Sequence, residues 1–160
     1  MSSSPPPSAD ITVRRASADD LDDVATLFDD YRAFYGRPRD LAGARAFLAE
    51  RLARQDSVIL VASVNRIVAF AQLYAGFSSL SMGHGVILND LFVAPSARRL
   101  GVANRLVDAS IAHGRETGAL YIELATQRTN HNAQRLYLAK GFHADEAFIH
   151  MSRSLDARRS

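Results

Sequence analysis

Cysteine is absent from this chain of 160 residues. Its absence excludes disulfides, thiolate zinc sites, iron–sulfur clusters and every mechanism that needs a cysteine nucleophile. A chain without cysteine is also compatible with a reducing compartment, and we expect a cytoplasmic protein.

An excess of charge of one sign and long apolar runs are also missing. The 19 basic and 17 acidic residues leave a net charge of +2, which is too balanced to favour a nucleic-acid partner. No stretch approaches 18 apolar residues, so we expect no membrane span. The first ten residues, MSSSPPPSAD, lack the basic and apolar regions of a secretory signal. We expect a disordered tail over residues 1–10, one domain over 11–155, and a polar tail over 156–160.

The spacing of apolar residues predicts six strands and four helices, in the order β–α–α–β–β–β–α–β–α–β. The two strands that flank the third helix are far enough apart for a right-handed parallel crossover, while the neighbouring hairpins are antiparallel. Residues 76–85, rich in glycine and serine, are predicted as a loop, and residues 148–151 as the last strand. The predicted fold is a mixed α/β protein with a mostly antiparallel sheet.

Residues 91–103 are the segment with the clearest chemistry. A buried strand ends at a proline, a turn with Arg98 and Arg99 follows, and the small residues Gly101 and Ala103 open a helix. The first amides of a helix have no partner within it, and the helix dipole adds positive charge there. Such a junction can bind a phosphate group. The alternative is that the arginines only face solvent.

Two motifs in this chain occur on the predicted elements. The first is Arg98-x-x-Gly101-x-Ala103, at a strand–helix junction. The second begins at Asn130, has a helical Tyr137 and closes with Gly141-Phe142. Both resemble the motifs of the GNAT superfamily of N-acetyltransferases. Together with Asn89–Val93, the segment Asn130–Gln134 resembles the subgroup of histone, D-amino-acid and polyamine acetyltransferases. The resemblance covers 11–155 and implies a GNAT-type sheet, mostly antiparallel, in which the fourth and fifth strands form a splayed parallel pair, with four flanking helices.

The resemblance implies acetyl-CoA as the cofactor. Its pyrophosphate would lie on the amides of residues 99–103, beside Arg98, and its pantetheine arm would pair with the backbone of Leu91 and Val93 like an added strand. Asn132 would bind the pantetheine or lie near it. The residues implied in cofactor binding are Leu91, Phe92, Val93, Arg98, Arg99, Leu100, Gly101, Val102, Ala103, Asn132 and Lys140.

The resemblance also places Tyr137 near the thioester sulfur, where a phenol could donate a proton to the leaving thiolate. The alternative is an ordinary aromatic side chain that covers the sheet edge. An amine with a pKa of about 10.4 must lose a proton before it attacks. Related enzymes often carry a glutamate at the position of Asn89. Asp90 could be the base, or Asn89 could hold a water in a proton-carrying chain; strand alternation predicts that these two side chains face opposite sides.

Acidic and aromatic residues of the first helix are candidates for binding a cationic amine. They are Asp29, Asp30, Tyr31 and Tyr35, and the alternative is that the aspartates face solvent while the tyrosines pack on the core. His84 could touch the substrate or could be solvated.

We therefore expect direct acetyl transfer to a primary amine of a small molecule or peptide in a ternary complex. Alternatives are an acyltransferase for larger acyl groups, a non-catalytic acyl-CoA-binding module, which the loss of a glutamate at Asn89 permits, and a nucleic-acid binder, which the charge balance disfavours. We expect a homodimer. We expect no metal, because His131 and His143 are isolated.

Overall fold

The computed structural model describes residues 10–156, so both predicted tails lie outside the described residues except for Asp10 and Asp156. The chain divides into two compact units, one up to Gln127 and one from Arg128. Each is described by itself, and the single domain stays a prediction. Within the described part, no helix is long and apolar enough to cross a membrane.

The first unit contains a five-stranded sheet in the order β1-β2-β3-β4-β5. The first three pairs of neighbours are antiparallel, and β4 and β5 are parallel. The strands are β1 Thr12–Arg15, β2 Val58–Val64, β3 Arg66–Ser78, β4 Gly83–Val93 and β5 Ile122–Leu124. The helices are α1 Leu21–Phe34, α2 Leu41–Arg54 and α3 Val102–Glu116 in the first unit, and α4 His131–Ala139 in the second. The predicted mixed sheet with four helices is confirmed.

A ladder of cross-strand partners forms one side of the core of the first unit. Val61 is opposite Phe70, and Phe70 is opposite Phe92, so all three side chains lie on the same face of the sheet. Val24 of α1 and Leu48 of α2 are buried in the same cluster. The two helices therefore cover this face, and the end of α1 lies against the C-terminal part of β4.

The predicted loop over residues 76–85 is wrong, because most of it continues β3 and β4. His84 is part of β4 and is opposite Phe77 of β3. Gly85 is buried, and a Cβ atom there would lie 2.2 Å from the Tyr121 ring. A glycine inside a strand often marks such a close approach by a neighbour. Gly85 therefore makes room for a ring and does not end β4.

The predicted strand over residues 148–151 is also wrong. The structure places no helix or strand in residues 146–156, and Phe148 and Ile149 are exposed. The carboxylate of Asp145 accepts the amides of Ala147 and Phe148, at 2.8 and 3.1 Å. Such a local turn competes with strand pairing for the same backbone groups. Alternating apolar residues alone do not supply the partner that a strand needs.

Candidate active site

A β-bulge in β4 shapes the centre of the first unit. Gln72 of β3 is opposite Asp90, but the next residue, Leu73, is opposite Leu88, so Asn89 has no partner on β3. The Asn89 amide donates to the Asp90 carboxylate at 3.1 Å, and both residues line the same cavity. The expectation that they face opposite sides is wrong, because a bulge interrupts strand alternation.

The parallel pair separates directly before this bulge. β5 pairs with β4 only where Val86–Leu88 lie opposite Ile122–Leu124. β4 continues to Val93 and keeps its pairing with β3 on the other side. Within the described residues, the edge of Asn89–Val93 that points away from β3 therefore has no strand partner.

A cavity of about 390 Å³ lies between α1, α2 and the bulge. Tyr31 contributes a ring that packs edge-on against Tyr35, at 5.0 Å between ring centroids. Apolar walls with a few polar groups are typical of small-molecule sites. The aromatic residues that line the cavity are Phe28, Tyr31, Tyr35, Phe47 and Tyr74. The polar and charged ones are Arg32, Arg37, Asn89 and Asp90.

Asp90 is the carboxylate that lines this cavity, and it is buried. Burial raises the pKa of the Tyr35 hydroxyl, and the negative charge of Asp90 raises it further. The same two causes, in the same order, raise the pKa of Tyr74. Both phenols therefore remain protonated at neutral pH, so that they can donate hydrogen bonds beside an anionic carboxylate.

A buried chain of hydrogen bonds holds the Asp90 carboxylate from behind. The Ser57 hydroxyl donates to the side-chain oxygen Oε1 of Gln72 at 3.1 Å, and the side-chain Nε2 of Gln72 donates to Asp90 Oδ2 at 3.0 Å. Asn89 donates to the other oxygen, Oδ1. Gln72 is fully buried, so this chain fixes the orientation of the carboxylate. Sequence reasoning missed Gln72, although a glutamine inside the apolar run of β3 was a signal for it.

The acidic residues of α1 do not reach the cavity. Asp29 accepts the Asp40 amide at 2.8 Å and the Arg39 guanidinium at 3.1 Å. The hydrogen bond from the Asp40 backbone amide is the main cause that lowers the pKa of Asp29. Asp30 accepts from the same Arg39 at 2.7 Å. Of the predicted substrate residues, Tyr31 and Tyr35 line the cavity, while Asp30 and His84 do not.

The turn before α3 has the backbone of an anion site. Arg99 and Gly101 both have positive φ angles, 65° and 82°, and the first helical bond runs from the Arg105 amide to the Gly101 carbonyl. The amides of residues 102–104 therefore precede the hydrogen-bonded ladder. A Cβ atom on Gly101 would meet nothing within 4 Å, so there is room for a ligand at this backbone. Arg98 donates to the Val93 carbonyl at 3.3 Å.

Neighbouring residues complete the described turn. Leu100 is exposed and Val102 is buried, while Ala103 is half-buried in the first turn of α3. Arg98 lies over the Phe92 ring, at 5.9 Å from its centroid. The small, open backbone and the two arginines fit a phosphate-bearing cofactor.

The second unit carries the other motif on α4. Asn130 caps this helix by accepting the Ala133 amide at 3.2 Å. The Tyr137 ring packs edge-on against Phe142, at 5.8 Å, and Gly141 takes a φ of +88°. The Phe142 amide donates to the Tyr137 carbonyl at 3.0 Å. The motif residues thus fold the end of α4 back onto Tyr137.

The other predicted cofactor residues of this unit lie on the same helix. Asn132 accepts a hydrogen bond from Arg135, and Lys140 forms the C-terminal cap of α4. In the part of the chain that the structure describes, no group of three metal-ligating side chains occurs.

Comparisons with known proteins place this chain beside one family of enzymes. The model of the acetyltransferase (GNAT) family matches residues 24–142. An uncharacterized N-acetyltransferase of Bacillus subtilis (strain 168), YhfO, is 41% identical over 149 residues, which are 92% of this chain and 100% of the relative. An uncharacterized N-acetyltransferase of Archaeoglobus fulgidus is 28% identical over 142 residues, 84% of this chain and 95% of the relative. A crystal structure described as that of a "probable acetyltransferase" is similar with a TM-score of 0.85 and 38% identity, over 90% of this chain and 97% of that one.

Proposed function

This chain belongs to the GNAT family of acetyltransferases, and on that premise we propose that it transfers an acetyl group directly from acetyl-CoA to a primary amine of a small molecule or peptide. Acetyl-CoA supplies an acetyl thioester, and the exchange leaves an amide on the acceptor and a thiol on CoA. The chain has no cysteine to carry the acetyl group, which supports direct transfer. The observation that carries the proposal is a buried carboxylate in a cavity, next to the point where β4 leaves β5.

The cofactor contacts that we propose are mostly backbone contacts. The amides of residues 99–103 bind the pyrophosphate, with Arg98 beside them. The edge of Leu91–Val93, which has no strand partner among the described residues, binds the pantetheine arm as a strand would. The positive φ of Gly101 and the separation of β4 from β5 support this arrangement. From α4, we propose that Asn132 and Lys140 also contribute to cofactor binding.

We propose that Asp90 accepts the proton that the acceptor amine must lose. An amine with a pKa of about 10.4 is protonated at pH 7, and deprotonating it costs roughly 4–5 kcal/mol before attack. Asp90 is held by two amide donors, from Gln72 and Asn89, and takes the proton directly or through a water beside Asn89. Tyr137 is the proposed proton donor to the leaving sulfur.

Three finer proposals rest on the sequence. The motif likeness to histone, D-amino-acid and polyamine acetyltransferases supports an amine acceptor, although it does not choose among the three classes. We propose a cytoplasmic location, which the absence of cysteine supports, and a homodimer, which similar enzymes commonly form.

The test is release of free CoA from acetyl-CoA in the presence of D- and L-amino acids, polyamines and histone-tail peptides. We expect release with at least one amine, and Asp90→Asn should lower kcat/KM about a hundredfold because it removes the base. Asp19→Asn, at an exposed position before α1, is the matched control. If the protein binds acetyl-CoA tightly but no amine releases CoA, it is an acyl-CoA-binding module. If a larger acyl-CoA reacts faster than acetyl-CoA, the proposal that the transferred group is acetyl is wrong.

A further inference from the structure

The charged groups of the cavity are divided between its buried and exposed parts. The buried carboxylate is that of Asp90, which is 6% exposed. The two guanidinium groups that line the cavity belong to Arg32, which is half-buried, and Arg37, which is exposed. Two positive charges and one negative charge leave the cavity with a net charge of +1. The lining is thus acidic inside and basic toward solvent.

The two arginines keep donors available for a ligand. Arg32 gives one bond, to the Pro38 carbonyl at 3.3 Å, and a guanidinium has five N–H donors. Among residues 10–156, neither Arg32 nor Arg37 forms an ion pair with a carboxylate. The nearby acids Asp29 and Asp30 are instead paired with Arg39. Arg32 acts on Asp29 only through its charge, so an anion on the acceptor would find two guanidinium groups that no carboxylate holds at ion-pair distance.

The Asp90 carboxylate also has capacity left. A carboxylate offers about four lone-pair sites, and the amides of Gln72 and Asn89 occupy two of them. Neither of those partners carries a charge, so the negative charge of Asp90 is not neutralised by its own hydrogen bonds. The phenols of Tyr35 and Tyr74 lie in the same cavity and can bind an ammonium group through their rings.

From this division of charge we infer that the acceptor is a small zwitterion, in which a primary amine binds at Asp90 and an acidic group of the same molecule binds at Arg32 and Arg37. This inference rests on the proposed acetyl transfer and adds the class of acceptor. A polyamine fits the cavity less well, because its second ammonium group meets the two arginines. The aromatic wall suits an apolar portion between or beside the two charged groups.

Matched acceptors test the inference directly. L- and D-phenylalanine carry both charges, phenylalaninamide and phenethylamine carry only the amine, phosphoethanolamine replaces the carboxylate by a phosphate, and spermidine carries only positive charges. We expect kcat/KM for a phenylalanine to exceed that for its amide by about tenfold or more, as expected for a charge-assisted bond. Faster reaction with phosphoethanolamine would identify the anion as a phosphate within the same class.

Variants of the arginines show whether the preference arises in this cavity. Arg37→Gln, alone and with Arg32→Gln, should lower the ratio of kcat/KM for the acid over the amide by about tenfold. Arg66→Gln is the matched control, because Arg66 is exposed at the start of β3 and does not line the cavity. An unchanged ratio in the Arg37 and double variants would overturn the inference.

The remaining outcomes separate this inference from the proposed function. If amines are acetylated but the amide or spermidine reacts as well as the acid, the acceptor class is wrong and acetyl transfer stands. If no amine releases CoA, acetyl transfer fails, and calorimetric binding of phenylalanine and phenylalaninamide still tests the cavity. If wild type binds phenylalanine more tightly than phenylalaninamide, and Arg37→Gln does not, the inferred acceptor class is supported. If wild type binds the two compounds equally, the inference is refuted.

Discussion

Replacing Gln72 by leucine tests whether the buried hydrogen-bond chain holds Asp90 in place. Gln72 is fully buried, and it links the Ser57 hydroxyl to the Asp90 carboxylate with bonds of 3.1 and 3.0 Å. Leucine has a similar size but neither accepts nor donates a hydrogen bond. The substitution therefore removes both links with little change in packing.

The expected loss of stability follows from these two bonds. A bond to a charged group contributes about 1.5–3 kcal/mol and a neutral one about 0.5–1.5 kcal/mol, which together make about 2–4.5 kcal/mol. Burial of the leucine returns part of this, about 1.5–2 kcal/mol. The free energy of unfolding should therefore fall by at most about 3 kcal/mol, which lowers Tm by no more than roughly 12 °C in a chain of this size.

Urea unfolding of Ser57→Ala, Gln72→Leu and the double variant completes a thermodynamic cycle. Because Ser57 bonds to Asp90 only through Gln72, its substitution should cost about 0.5–1.5 kcal/mol in the wild-type chain and almost nothing beside leucine. In acetyl transfer, Gln72→Leu should lower kcat/KM for the amine about tenfold, with little change in the Kd of acetyl-CoA. Additive effects in the cycle, with a coupling below about 0.3 kcal/mol, would refute the chain of bonds.

Three further predictions concern the rest of the chain. Asp20→Ala should destabilise the protein by about 2 kcal/mol at pH 7. The hydrogen bond from Arg14 is the main cause that lowers the pKa of Asp20 in the folded protein. The difference in stability between wild type and Asp20→Ala should therefore shrink as pH falls below about 4. Gly101→Ala should cost about 1–2 kcal/mol, because φ is +82°, and should weaken acetyl-CoA binding in calorimetry. Tyr137→Phe should lower kcat about a hundredfold and change the Kd of acetyl-CoA much less.

Each of these predictions has a control or a contradicting result. Asp19→Ala changes an exposed acid next to Asp20 and is the control. An equal loss at pH 7 and pH 3 for Asp20→Ala would contradict a stabilising ion pair between Asp20 and Arg14. Gly118 has a φ of +70° and open space around its missing Cβ, like Gly101. Gly118→Ala should therefore lower stability equally but leave the Kd of acetyl-CoA as it was. Wild-type turnover in Tyr137→Phe would remove the proposed proton donor.

Helices and strands were predictable where a local pattern fixes them. The apolar spacing within α2, Leu41–Arg54, predicts a helix there, because one face of a helix must be apolar to be buried. The bulge at Asn89 was not predictable in this way. It depends on the register between β3 and β4, and register arises from two strands together and not from the pattern of one. Because the orientation of the Asp90 side chain depends on this bulge, it could not be predicted either.

The two halves of the candidate site differ in the same respect. The proposed cofactor turn consists of consecutive residues, 98–103, whose glycine and arginine types already indicate free amides and positive charge. The proposed acceptor cavity instead combines α1, α2, β3 and β4, whose residues lie up to 62 positions apart in the chain, from Phe28 to Asp90. Asp29 and Asp90 are both buried aspartates, and sequence gives no reason to choose between them as the amine's partner. The tertiary structure chooses, because Arg39 neutralises Asp29 while Asp90 receives only neutral amides and keeps its charge for a ligand.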